Sequence, residues 1–166
     1  HLRELIPTTH QLPQWALLLE FTRAVELPWD HIRFNHPLLS TLIRESSKPN
    51  RIPGNRWTVL TTTSWAENHL ELSREAAGQE ILQALRETLG ALPAVLQSQC
   101  HRWRFSRTVP HRLPEQALSL PQAQLTVASA DLASGDIEGA WCSGAAAAGF
   151  VLRATRDPAP LNLLNF

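Results

Sequence analysis

The hydrophobic pattern of this chain changes period twice, and each change predicts a different kind of element. Residues 14–21 form a compact apolar run bracketed by Trp15 and Phe21, which reads as a well-buried strand. A turn at Pro28-Trp29-Asp30 leads into residues 31–35, where polar and apolar positions alternate as in a half-exposed strand. Residues 38–46 put Leu39, Thr41 and Ile43 on one face and Leu38 and Leu42 on the other. They predict a third strand, broken by Ser46-Ser47-Lys48-Pro49-Asn50. After the turn signal Pro53-Gly54-Asn55, residues 56–63 are rich in the β-branched types that suit a pleated surface.

The period then lengthens. Ser64 is placed to cap a short helix carrying Trp65 and Leu70, with Glu67 at capping-box spacing. From Ser73 onward Ala77, Ile81, Leu82, Leu85 and Leu89 recur at helical spacing, and Gly90 stands where a left-handed cap is expected. Residues 96–107 return to alternation, with Cys100, Arg102 and Arg104 facing one way and His101, Trp103 and Phe105 the other. Residues 109–122 contain Pro110, Pro114 and Pro121 and read as loop. The short run Leu125-Thr126-Val127-Ala128 predicts a strand, followed by an acidic turn and a helix of small residues through Ala148. Strands joined by short turns, with a helical pair inserted, predict an α+β fold. Its mostly antiparallel sheet would carry two or three helices, in preference to a doubly wound arrangement.

The small-residue helix is the most unusual element. Gly139, Ser143 and Ala147 share one stripe, and Ala140, Gly144 and Ala148 the next, so about half its circumference has little side-chain volume. Glycine inside a helix costs roughly 1 kcal/mol relative to alanine, so Gly139 and Gly144 require a packing or a functional reason. Two readings stand. The helix packs against a sheet, or its N-terminus, with unsatisfied N–H groups and a positive dipole end, faces an oxyanion such as phosphate.

Fifteen basic and fifteen acidic side chains give zero formal net charge, without a lysine run. That balance supplies no electrostatic footprint for nucleic acid or an anionic membrane. No segment approaches the ~18 consecutive apolar residues of a membrane helix. Cys100 and Cys142, far apart and without a CxxC, point to thiols in a reducing, cytoplasmic compartment rather than to a disulfide framework or a zinc site. The seven histidines show no ligand spacing, so no metal is expected. GxSxG and GxGxxG are both absent, and Asp131, Asp136 and Glu138 lie near a helix start, where acids are favourable on dipole grounds alone. A chain without an acid, base or nucleophile constellation points to an enzyme whose cofactor brings the reactive atoms. It opens at His1 and contains no methionine, which leads us to expect a segment of a longer protein.

The segment 131–148 resembles the C-terminal flavin-contacting motif of the renalase-like, amine-oxidase-related FAD-dependent oxidoreductases. That motif has a Gly-Asp, a glycine-rich turn, a hydrophobic-Glu-Gly-Ala and a small-residue helix. Further stretches are similar in the same order: Pro13-Gln14-Trp15-Ala16-Leu17, the block 37–49, Ser64-Trp65 with His69-Leu70-Glu71, and His101-Arg102-Trp103-Arg104-Phe105. The resemblance implies that Asp131 reaches the ribityl or phosphate side of FAD. It also implies that the backbone at Ile137, Glu138, Gly139 and Ala140 points at the flavin N1–O2 edge, where it would stabilise charge on the reduced ring. Residues 1–123 would be the substrate-binding sheet domain, 124–155 the strand and helix that contact flavin, and 156–166 a tail. Trp103 and Arg104 are the substrate-side or interface candidates, set against a core tryptophan and a surface arginine.

The implied reaction is hydride transfer from a reduced carbon–nitrogen centre, an amine or dihydronicotinamide-like small molecule, to flavin. The family's N-terminal dinucleotide-binding domain is the implied partner, and without it the chain is expected to purify colourless. Two departures favour a rival reading as a non-catalytic binding or scaffold domain: Ala130 stands where glycine usually precedes the aspartate, and Asp136 where a base is usual.

Overall fold

A computed structural model describes residues 9–156. Residues 1–8, and all of the expected tail except Arg156, lie outside the described residues. The chain divides into two compact units, residues 12–106 and residues 1–11 with 107–166. The α+β expectation holds.

The first unit is built on a five-stranded sheet of β1 (Gln11–Phe21), β2 (His31–Arg33), β3 (Leu39–Arg44), β4 (Arg56–Thr61) and β5 (Val95–Thr108), in the spatial order β2-β3-β4-β1-β5. The pairs β1–β4, β2–β3 and β3–β4 are antiparallel. Period two decides what is buried. Trp15, Leu17, Leu19 and Phe21 of β1 and Trp57, Val59 and Thr61 of β4 all turn inward and are nearly inaccessible. Each fully buried large apolar side chain stabilises the fold by about 1.5–3 kcal/mol.

Strand β3 departs from simple alternation. Leu39 and Leu42, expected on opposite faces, are both buried, because the register shifts between Leu39 and Thr41. Leu39 pairs with Thr61 and Leu42 with Val59, so the irregularity brings both leucines onto the core side.

Two helices cover the core face, α1 (Thr63–Asn68) and α2 (Arg74–Leu89). The cap of α1 is Thr62, whose hydroxyl accepts from Trp65 N–H at 3.2 Å and donates to the Pro37 carbonyl at 2.7 Å. Ser64 therefore lies inside the helix, and Leu70 falls beyond its end. Helix α2 follows the expectation: Ser73 caps it, and Gly90 closes it at φ 81. Ala77, Ile81, Ala84 and Leu85 form its buried stripe. It approaches the sheet at Gly78, where a Cβ would lie 3.4 Å from that of Cys100 and 3.6 Å from Leu17 Cδ1.

The second unit contains a small hairpin and the long C-terminal helix. Strands β6 (Leu118–Leu120) and β7 (Leu125–Val127) pair antiparallel through Leu118↔Val127 and Leu120↔Leu125. Strand β6 lies in the stretch expected to be loop. Pro114 and Pro121 flank it without interrupting it, and Pro121 starts the 3-10 turn Pro121–Ala123 that joins the strands. Helix α3 spans Ile137–Arg156, eight residues past Ala148. Among the described residues, no helix is long and apolar enough to cross a membrane.

Candidate functional site

The chemistry-bearing segment begins at the end of β7. A 3-10 turn, Ala130–Leu132, carries Asp131 inward until only 2% of it is exposed. Its backbone carbonyl accepts from the His111 N–H at 2.6 Å, and the Leu132 carbonyl accepts from Leu113 N–H at 2.9 Å. Asp131 Oδ2 accepts from Thr9 Oγ1 at 3.0 Å, whereas Oδ1 is buried and has no hydrogen-bond partner among the described residues. Burial pushes this carboxyl up, but the nearby Ser129 and Thr9 hydroxyls, with the charge of His111, hold it below the usual aspartate value.

Helix α3 is fastened to this turn by its small residues. A Cβ on Gly139 would lie 2.6 Å from Ser134 Oγ, 2.7 Å from Ser134 N and 3.2 Å from the Ala130 carbonyl. Only glycine permits that approach. One turn further, fully buried Ser143 accepts from the Ser129 N–H through Oγ at 3.0 Å. Gly135, at φ 81, closes the turn where a Cβ would lie 2.6 Å from the Thr108 carbonyl.

Asp136 stands immediately before the helix. Its Oδ1 accepts from Gly139 N–H at 2.8 Å and from Ser134 Oγ–H at 2.5 Å, and its carbonyl accepts from Ala140 N–H at 2.9 Å. The Ser134 hydroxyl and the Gly139 amide hold this carboxyl below its ordinary value. The anion at this helix N-terminus thus belongs to the chain itself. Of the four backbone positions singled out in the sequence, Gly139 and Ala140 carry N–H groups engaged by Asp136. Ile137 (91% exposed) and Glu138 direct their side chains outward.

The two small-residue stripes separate cleanly. Gly139 and Ser143 pack against the turn, whereas Ala140, Gly144 and Ala148 are exposed, with nothing within 4 Å of a Cβ placed on Gly144. Trp141 extends beside this open stripe, 80% exposed.

In the sheet unit, Trp103 and Arg104 face opposite ways. Arg104 is on the helix side and pairs with Glu71 at 2.9 Å, next to Arg102, which donates to the Leu70 carbonyl and lies 5.6 Å from the Trp15 ring centroid. Trp103 is on the outer face, 52% exposed, with His101 edge-on at 4.5 Å and Phe105 beyond. It is not a core tryptophan. The strand's period of two keeps these residues from lining one surface together.

The Asp136 cap carries a signal that sequence reading can use, an aspartate three residues before a glycine at a helix start. The hydroxyls of Thr9 and Ser143 carry none. Both cysteines are free thiols. Among the described residues, no group of three or more His, Cys, Asp or Glu is placed to hold a metal.

The residues of the turn fit a flavin at two points. Asp131 presents a buried carboxylate whose Oδ1 has no hydrogen-bond partner among the described residues, and the open stripe leaves a planar group room against the helix backbone. Residues 3–152 match the family described as flavin containing amine oxidoreductase, and the chain belongs to that family.

Proposed function

We propose that this chain is the substrate-domain and C-terminal part of an FAD-dependent oxidoreductase of the renalase-like branch, acting on an amine or a dihydronicotinamide-like compound. The observation that carries the reading is the buried Asp131, whose Oδ1 has no hydrogen-bond partner among the described residues, inside a segment that the flavin family covers. FAD, when bound, supplies two-electron oxidation of a reduced carbon–nitrogen centre. Asp131 would accept a hydrogen bond from the cofactor's polyol chain. The stripe at Ala140, Gly144 and Ala148 would lie against it and exclude water from its edge. Trp103, with His101 and Phe105, would form the aromatic wall on the substrate side, and Arg104 would hold β5 in place through Glu71.

In this proposal residues 1–123 serve substrate and 124–155 serve flavin. The remaining cofactor contacts come from a dinucleotide-binding partner domain outside these residues. We place the chemistry in a reducing cytoplasm, a reading that the free thiols of Cys100 and Cys142 support.

One observation favours the rival, a binding or scaffold domain without cofactor. Asp136 already occupies the Gly139 N–H that a flavin edge would use. Purifying the protein from its whole coding sequence decides between the two. Visible flavin absorbance that bleaches on anaerobic addition of an amine or a dihydronicotinamide supports the enzyme. A colourless product that fails to quench added FAD fluorescence supports the scaffold.

A further inference from the structure

The segment joining β3 to β4 and the outward residues of β1, β4 and β5 enclose a cleft of about 490 Å³ in the sheet unit. Its charges are unevenly committed. Glu45, at the root of the joining segment, accepts from Lys48 Nζ at 2.7 Å and from Thr58 Oγ1 at 2.7 Å, so its acceptor capacity is largely spent. Glu20 meets Arg56 only at 3.9 Å, the far limit of an ion pair, and the Arg56 side chain is 51% exposed. The backbone N–H of Arg51 donates to the Lys48 carbonyl at 3.3 Å, whereas its exposed guanidinium, on the lining of the cleft, makes no ion pair or hydrogen bond among the described residues. The lining carries Arg51 and Arg56 against Glu20 and Glu45, but Glu45 is neutralised by Lys48 from outside the lining, which leaves two arginines facing Glu20 alone.

The cleft also has apolar surface. Leu18 is 43% exposed and Ile52 77% exposed, both on its lining, although Leu17 and Leu19 on either side of Leu18 are buried. A purely inorganic anion would leave these two side chains wet. An amine would find Glu45 already claimed by Lys48 and Thr58, and would share the lining around Glu20 with the like charges of Arg51 and Arg56.

We propose that this cleft binds a small amphipathic carboxylate, its carboxylate held in the forks of Arg51 and Arg56 and its apolar body lying on Leu18 and Ile52. Guanidinium groups suit this task because two parallel N–H donors match the two carboxylate oxygens. Glu20 is then the competitor, since it holds Arg56 loosely when the cleft is empty and yields it when a better-placed carboxylate arrives. The cleft uses none of the residues assigned above to flavin or to the aromatic wall, and its test needs no flavin.

The test uses the full chain with phenylacetate as the probe. Phenethylamine is the control of the same body and opposite charge, and inorganic phosphate the control without a body. Backbone amide shifts are followed by heteronuclear NMR. The expected result is saturable movement at Leu18, Arg51, Ile52, Arg56 and Gln97 at up to about 10 mM phenylacetate, with weaker or no binding of either control. Arg51→Gln combined with Arg56→Gln is expected to weaken binding by about tenfold or more, the worth of a hydrogen bond to a charged group. Glu20→Gln is expected to tighten it. The proposal is overturned by absence of saturable shifts, by phenethylamine or phosphate binding as tightly as phenylacetate, or by Glu20→Gln weakening the probe.

Discussion

Gly139 donates its backbone N–H to the carboxylate of Asp136 at 2.8 Å, closing the N-terminus of α3 with a charge from its own chain. The Asp136 carboxyl is held low by Ser134 and by this amide. Its native pKa therefore lies below the unfolded value, and the stability it lends is present above the ordinary aspartate range. That contribution is lost as pH falls through the lowered native value. Asp136→Ala should lower the melting temperature at neutral pH and flatten this acid limb. Asp136→Asn should keep most of the cap while also flattening the limb, and melting curves at several pH values check both.

The two helix glycines should behave oppositely. A Cβ at position 139 meets backbone atoms of Ser134 and Ala130 at 2.7 and 3.2 Å, so Gly139→Ala should destabilise by about 1–3 kcal/mol. A Cβ at position 144 meets nothing within 4 Å, so Gly144→Ala should stabilise by about 0.5–1 kcal/mol through helix propensity alone. Urea unfolding of both variants measures the difference. Gly144→Leu in the protein from the whole coding sequence should reduce flavin retention more than it reduces stability. Equal loss of both would make the open stripe a packing surface only.

The cap of α1 is tested by a similar pair. Thr62→Ala removes the acceptor for Trp65 N–H and the donor to the Pro37 carbonyl, and should cost about 1 kcal/mol. Ser64→Ala should fall within about 0.5 kcal/mol of the parent, as surface substitutions do. If thermal unfolding shows the reverse order, the helix begins at Ser64.

The strands were legible because burial on one face writes itself into period two: Trp15, Leu17, Leu19 and Phe21 are buried as their spacing predicts. Helix α2 was legible for the same reason at period 3.6, with Ser73 and Gly90 marking its ends. Leu39 and Leu42 were not, because a register shift is set by pairing to β4, a relationship absent from local sequence. Strand β6 was hidden because three residues, Leu118–Leu120, are too few for a period and are bordered by proline. At the candidate site the close approach of α3 showed in its glycines. Which stripe packs and which stays open depends on where Ser134 and Ala130 return in space. The split between Trp103 and Arg104 was already implied by their adjacency in a strand.

Asp131 separates the flavin reading from simple packing. Its carboxyl is buried, one oxygen is satisfied by Thr9, the other has no partner among the described residues, and its native pKa is held below normal despite burial. Stability from this group is therefore present above the unfolded aspartate range and declines as pH falls through the lowered native value. Asp131→Asn keeps the shape and one acceptor but turns an oxygen into a buried donor, for which the turn offers no acceptor beside the Thr9 hydroxyl that donates to it. It should weaken the turn by about 1–3 kcal/mol, the cost of an unsatisfied buried polar group, and should remove the acid dependence. In the protein from the whole coding sequence the same variant should lose bound flavin at temperatures well below its melting transition, because the polyol acceptor is gone while the fold persists. Flavin release measured by fluorescence against unfolding measured by circular dichroism distinguishes the cases. If release and unfolding coincide in both parent and variant, Asp131 serves the turn alone.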